Sequence, residues 1–354
     1  MRALVKSSAE PGLVLEERPR PQPAPHDVLI AVSHAAICGT DLHIHEWNEW
    51  ARETMTPPTI IGHEFVGTIV ELGDQVDVDE VELAVGMRVA GEGHIVCGHC
   101  RNCRAGDGHL CRNTLGVGIH RDGAFAEFVS IPAVNAYPVP DTVPDEIAAI
   151  LDPLGNAVHT TLSFDLVGED VLITGAGPIG QMSAAIARHA GARHIVVTDL
   201  DPMRLKTAER MGATRAIPAG REALRNAMDE LEMVEGFDVA LEMSGSPAAL
   251  ADIVEFVNHG AKIALLGLFD ASIDVDVNQV ILKGLTVKGI YGREMFETWY
   301  KAVAMLNSGL DVSPVISRHH DLDDYEAAFD SLFAGEANKI VLDIGVTSGV
   351  RPLM

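Results

Sequence analysis

Cys97, Cys100, Cys103 and Cys111 fall within fifteen residues in the spacing C-x2-C-x2-C-x7-C. Four thiolates this close together suit a tetrahedral ion, zinc being the commonest occupant. The stretch around them is rich in Gly, Asn and Arg and nearly free of apolar residues, so metal ligation must itself supply the order. The spacing therefore predicts a structural metal lobe at about residues 91–114. His94, His99 and His109 flank it, but four sulfurs already complete a tetrahedron, so these read as loop histidines. His94, in Glu92-Gly93-His94, is the one expected to line a substrate cleft.

The fifth cysteine, Cys38, stands in C-G-T-D-L-H, upstream of Gly62-His63-Glu64. A lone buried Cys is usually inert packing. Here, however, each motif falls at a strand end, and two strand-end loops can converge on one ion. The pair reads as a second zinc site with fewer protein ligands, whose open position permits chemistry. Two zinc ions per subunit are expected, one for shape and one for reaction.

Gly175-Ala176-Gly177-Pro178-Ile179-Gly180 is G-x-G-x-x-G directly after an apolar run and at the start of a helical pattern. The first glycine permits a tight turn, the second lets the backbone approach a pyrophosphate, and the third allows close helix–strand packing. Asp199 follows nineteen residues after Gly180, at the end of the next strand. An acid there can bind both ribose hydroxyls and would repel a 2′-phosphate, so NAD is expected rather than NADP. Arg204 reads either as an adenine contact or as a surface arginine.

The elements that must carry these residues differ between the two parts of the chain. From Val28 to about Val139 short β-rich runs (Val28–Val32, Phe65–Val70, Ala124–Val129) are broken by Gly, Pro, Asn and Asp, the texture of a closed or partly closed β domain. After Pro144 strand and helix alternate, with strands at 171–174, 194–198, 239–242 and 262–266 and a helix near 179–190. That alternation predicts a parallel, doubly wound sheet. Helices at 296–308 and 325–334 precede a strand at 338–344 that could return to the first domain. At 354 residues, two domains are the default.

The net charge of −25, with only seven lysines against nineteen arginines, disfavours nucleic acid and anionic membranes as partners. No run approaches a membrane span, and Met1–Lys6 reads as a strand with no signal-peptide core. With four cysteines claimed by a metal, none is left to pair with Cys38, and a reducing, cytoplasmic setting is expected.

Taken in order, C-G-T-D-x-H, G-H-E, C-x2-C-x2-C-x7-C and G-x-G-x-x-G resemble the zinc-containing medium-chain dehydrogenases over almost the whole chain. Within that family Gly91–His94, Cys97–Cys103, His109–Thr114, Asp152–His159, Leu241–Gly245 and Gly289–Tyr300 look like the members that oxidise L-threonine. The resemblance implies an α/β chain: a GroES-like β domain plus a Rossmann doubly wound parallel sheet, with the active site between them. It divides the chain into 1–148 (catalytic domain), 149–294 (NAD-binding domain) and 295–354 (a segment returning to the first domain). It implies a homotetramer that oxidises the secondary hydroxyl of L-threonine to 2-amino-3-oxobutanoate, reducing NAD, with a polyol or secondary alcohol as the alternative substrate.

Carried over by position, Cys38, His63 and Glu64 would hold the catalytic zinc, Thr40 and His43 would relay the proton, and Asp152 would assist near the metal. Ile179, Asp199, Arg204, Leu266-Gly267-Leu268 and Ile290-Tyr291 would line the NAD. Many alcohol dehydrogenases have a cysteine where Asp152 stands, so the third ligand is open between Glu64 and Asp152. His45, two residues beyond His43 and on the same side if the segment were a strand, is the rival for the relay. The acidic segment Asp74–Val85 reads as an enlarged surface loop.

Overall fold

A computed structural model describes residues 1–77 and 82–345. The acidic Asp74–Val85 segment thus falls partly, at residues 78–81, outside the described residues. The chain divides into two compact units, Met1–Asp152 with the chain from Ile316 onward, and Pro153–Val315. The return to the first unit falls at Ile316 rather than at 295. The helix Phe296–Asn307 stays with the second unit because Trp299 packs against Gly155, where an added Cβ would meet the indole at 3.0 Å.

The first unit is built on antiparallel pairing around the ten-residue strand Asp27–Ala36, whose residues are nearly all buried. Glu64–Leu72 pairs along one side of it, Phe128–Pro132 along part of its length, and Lys339–Asp343 at its end. The sheet continues through Arg88–Gly91 to Ala136–Pro138 on one flank and to Ile316–Asp321 on the other. A three-stranded sheet of Val14–Glu17, Arg2–Lys6 and Thr59–Ile60 completes the unit. The run 124–127, expected as part of a strand, instead bridges to the first strand: Leu4 N–H donates to the Phe125 carbonyl, and Phe125 N–H to that of Ile61. Aliphatic side chains dominate this core, with Phe65, Phe125 and Phe329 its fully buried aromatics.

Six parallel strands form the sheet of the second unit, in the order Arg215–Pro218, His194–Asp199, Asp170–Thr174, Phe237–Glu242, Val257–Leu265, Thr286–Gly289. Parallel strands are covered on both faces, so Val171–Ile173, Ile195–Val197 and Val239–Leu241 are apolar and buried throughout. Chain order reverses beside Asp170–Thr174, and ligands of doubly wound sheets bind outside the carboxyl ends at such a point. Among the described residues no helix is long and apolar enough to cross a membrane.

Candidate active site and cofactor crevice

Strand register brings Cys38, His63 and Glu64 together. Glu64, the first residue of its strand, pairs opposite Ala36, two residues before Cys38. Cys38 then caps the helix Gly39–Glu46, its N–H donating to Asp41 Oδ2 at 2.9 Å. Gly62, at φ +93°, makes the turn that delivers His63, and a Cβ there would sit 2.3 Å from the Phe125 ring. The candidate ligand atoms of Cys38, His63 and Glu64 all lie within 4.8 Å of one another.

A thiol, an imidazole and a carboxylate at this separation are a donor set that fits zinc. Burial opposes protonation of His63, but Cys38, Asp41 and Asp152 outweigh it and push the imidazole pKa up to about 10. Asp41 is fully buried, and neither its Oδ1 nor His63 Nδ1 has a hydrogen-bond partner; the two atoms stand 3.9 Å apart. Such a concentration of negative charge around one imidazole is what a bound cation would relieve. Asp152, itself buried, acts electrostatically on both His63 and Glu64.

Thr40 Oγ1 lies 3.7 Å from Cys38 Sγ, and His43, one helical turn on, is exposed. His45 does not share its side. The segment is a helix, where residues two apart point in nearly opposite directions. His45 stacks on Phe329 at 5.4 Å between ring centroids and meets Phe333 at 5.1 Å.

The four-cysteine lobe is flanked by the short pair His94–Ile95 and Leu115–Gly116. Its sulfurs approach one another at 3.5 Å (Cys100–Cys103 and Cys97–Cys111) and 3.9 Å (Cys100–Cys111). The backbone N–H of His99, supported by that of Cys100 and by the side-chain amide of Asn113, pulls the Cys97 pKa down to about 5. Burial and the neighbouring sulfurs push Cys103 up to about 12. Four thiolates cannot all ionise at this spacing without a cation, and four sulfurs fit a tetrahedral zinc. Beside the lobe His94 Nδ1 is 3.5 Å from the buried carboxylate of Glu92, which also accepts from the His94 N–H at 2.8 Å.

In the second unit, a Cβ on Gly180 would lie 1.9 Å from the Gly175 carbonyl, whereas one on Gly177 would meet nothing within 4 Å. The third glycine is thus held by packing and the second leaves open space over the helix N-terminus, as a phosphate requires. Gly175, Asp199 and Arg204 line a cavity of about 680 Å³ together with Ser244 and Ser246. Arg204 also pairs with Asp201 at 3.7 Å. Ile179 is half-buried, and Leu268 and Tyr291 are exposed. Leu266 and Ile290 pack with the core under the sheet, Leu266 partly and Ile290 almost wholly buried. Gly267 is crowded by Gly245 and Glu242, atoms of which lie 2.3 and 2.5 Å from where its Cβ would be.

Residues 24–141 match the family model of the alcohol dehydrogenase GroES-like domain, and residues 178–308 that of the zinc-binding dehydrogenase. The chain belongs to the zinc-containing medium-chain dehydrogenases. Members of this family named L-threonine 3-dehydrogenase are 57% identical in Alteromonas mediterranea and 58% in Burkholderia ambifaria, over 97% of this chain and 99% of each relative. Among solved structures, an alcohol dehydrogenase (rspB) from E. coli CFT073 with bound NADH superposes with a TM-score of 0.86 at 27% identity, covering 97% of this chain and 99% of that one. The alcohol dehydrogenase of Thermus sp. ATN1 gives 0.85 at 29%, with the same coverage.

Three side chains in this medium-chain dehydrogenase escaped the sequence reading. Lys339 is buried against Glu64; its signal was a lysine opening the apolar strand K-I-V-L-D. Asp41 was visible only as part of C-G-T-D. Glu242 is fully buried at the end of a central strand and accepts from Ser244 N (2.9 Å), Gly245 N (3.0 Å) and Thr174 Oγ1 (3.3 Å), organising the turn beside the cofactor crevice.

Proposed function

We propose that this dehydrogenase oxidises the secondary hydroxyl of L-threonine to 2-amino-3-oxobutanoate and reduces NAD to NADH. The observation that carries the reading is 54–58% identity, over almost the full chain, to relatives named for that reaction. The convergence of Cys38, His63 and Glu64 supports a catalytic zinc held by these three residues, with Asp152 as the rival for the carboxylate position. Cys97, Cys100, Cys103 and Cys111 would hold a second, structural zinc. When bound, the catalytic zinc supplies Lewis acidity toward the substrate hydroxyl, and NAD accepts the hydride.

The protein's own part is to orient and to move a proton. Thr40 passes the hydroxyl proton along through its Oγ1, and exposed His43 hands it to solvent. Asp199 takes the adenosine ribose hydroxyls, Arg204 the adenine side of the same cavity, and the Gly177–Gly180 helix start the pyrophosphate. Leu266–Leu268, Ile290 and Tyr291 complete the cofactor wall. His94, steadied by Glu92, contacts the amino acid.

The active form is a homotetramer in a reducing, cytoplasmic setting. An exposed edge strand, Thr286–Gly289, with Val277, Ile281, Leu282 and Val287 exposed around it, supports association. NADH formation measured with L-threonine, sorbitol and 2,3-butanediol, with and without a chelator, tests the assignment. Preference for either polyol would replace L-threonine as the substrate.

A further inference from the structure

We propose that Lys339 is a positioning residue for the metal centre: by holding both carboxylate oxygens of Glu64, it keeps that side chain a weak and exchangeable ligand. The inference rests on the reading of Cys38, His63 and Glu64 as a metal site. Lys339 Nζ donates to Glu64 Oε1 at 2.9 Å, to Oε2 at 2.8 Å and to the Ile37 carbonyl at 2.9 Å. An ammonium has three protons, and all three are committed. Glu64 is fully buried and Lys339 almost so, and neither can swing out to water without opening the sheet.

The lysine is anchored by pairing as well as by charge. Its strand lies against the end of Asp27–Ala36, and Ile37 N–H donates to the Ile340 carbonyl at 3.0 Å. The strand Lys339–Asp343 therefore inserts a fixed positive charge beside Cys38 and Glu64. A cation seated among Cys38, His63 and Glu64 has to compete with this ammonium for the same oxygens and also feels its field at low dielectric. Both effects weaken ligation by Glu64. A carboxylate left free would bind more firmly and fill the position that a substrate oxygen needs.

The test is metal release from the purified, zinc-loaded full chain, using 1,10-phenanthroline, with the four-cysteine zinc as internal control. Lys339→Met should slow loss of the catalytic equivalent by ~10-fold or more, and Lys339→Arg should stay within about threefold of the parent. In a Glu64→Gln background the Lys339→Met effect should shrink below about threefold, because the carboxylate that the lysine restrains is gone. Cobalt(II) in the catalytic site should show altered visible bands in Lys339→Met and not in Lys339→Arg. If Lys339→Met does not fold, Lys339→Gln is expected to give the same slowing. Release at the parental rate or faster, or equal slowing with Gln at 64, overturns the inference. A parent chain that binds a single zinc equivalent would instead defeat the underlying metal-site reading, and two equivalents with unchanged release would defeat the role of Lys339 alone.

Discussion

Asp199 Oδ2 accepts a hydrogen bond from the backbone N–H of Ala176 at 2.6 Å, joining the end of one central strand to the glycine turn that follows another. Its second oxygen accepts from Asp201 N–H at 2.9 Å, so the carboxylate is pinned where it lines the 680 Å³ cavity. On the proposed reading, replacement by alanine removes both the ribose partner and the charge that repels a 2′-phosphate. Asp199→Ala should lower kcat/KM for NAD by about tenfold or more and raise that for NADP, measured by steady-state kinetics with each cofactor. Unchanged preference would remove Asp199 from the cofactor site.

The two histidines of the helix Gly39–Glu46 should separate cleanly. His43→Ala is expected to lower turnover near neutral pH by on the order of 10²-fold while zinc stays bound. His45→Ala should leave turnover in place and cost about 1–2 kcal/mol of stability through its lost ring contacts with Phe329 and Phe333. Comparing kcat with Tm in both variants decides between them; the reverse pattern would reassign the relay.

Burial also holds the His45 pKa below its ordinary value of 6.5. The folded chain therefore resists a proton that the unfolded chain takes up below about pH 6.5, and stability contributed by the neutral ring is lost on acidification. His45→Phe keeps an aromatic ring between its neighbours and should flatten the fall in Tm between about pH 7 and 5.5 relative to the parent. A parallel curve for the two proteins would exclude this linkage.

In the four-cysteine lobe, Cys97 is a thiolate only above its lowered pKa of about 5. Protons compete with metal for these sulfurs, so metal held there should be lost on acidification, which a zinc-sensitive dye would record. Cys100→Ser should reduce Tm and zinc content before it affects the chemistry at Cys38. Retention of both in that variant would contradict a structural role for the lobe.

Gly62→Ala places a side chain at φ +93° and drives it into Phe125. The expected cost is on the order of 2–4 kcal/mol, with displacement of His63 and weakened binding of the catalytic zinc. Thermal unfolding and zinc analysis of the variant measure both.

Local chemistry was legible in the linear order of residues. A tetrahedral thiolate set within fifteen positions, a glycine turn between an apolar run and a helix, and an acid nineteen residues later are short-range arrangements whose spacing alone limits what they can do. Alternating apolar runs likewise announced the parallel sheet, because strands covered on both faces must be apolar throughout. Tertiary structure decided what depended on distant segments. Lys339 meets Glu64 across 275 positions only because the strand Lys339–Asp343 closes on the end of Asp27–Ala36. His45, half-buried, packs against the core residue Phe329 and the more exposed Phe333 because its segment winds as a helix. Burial, register and the field of neighbouring charges are properties of segments packed together, and no single segment carries them in its own residues.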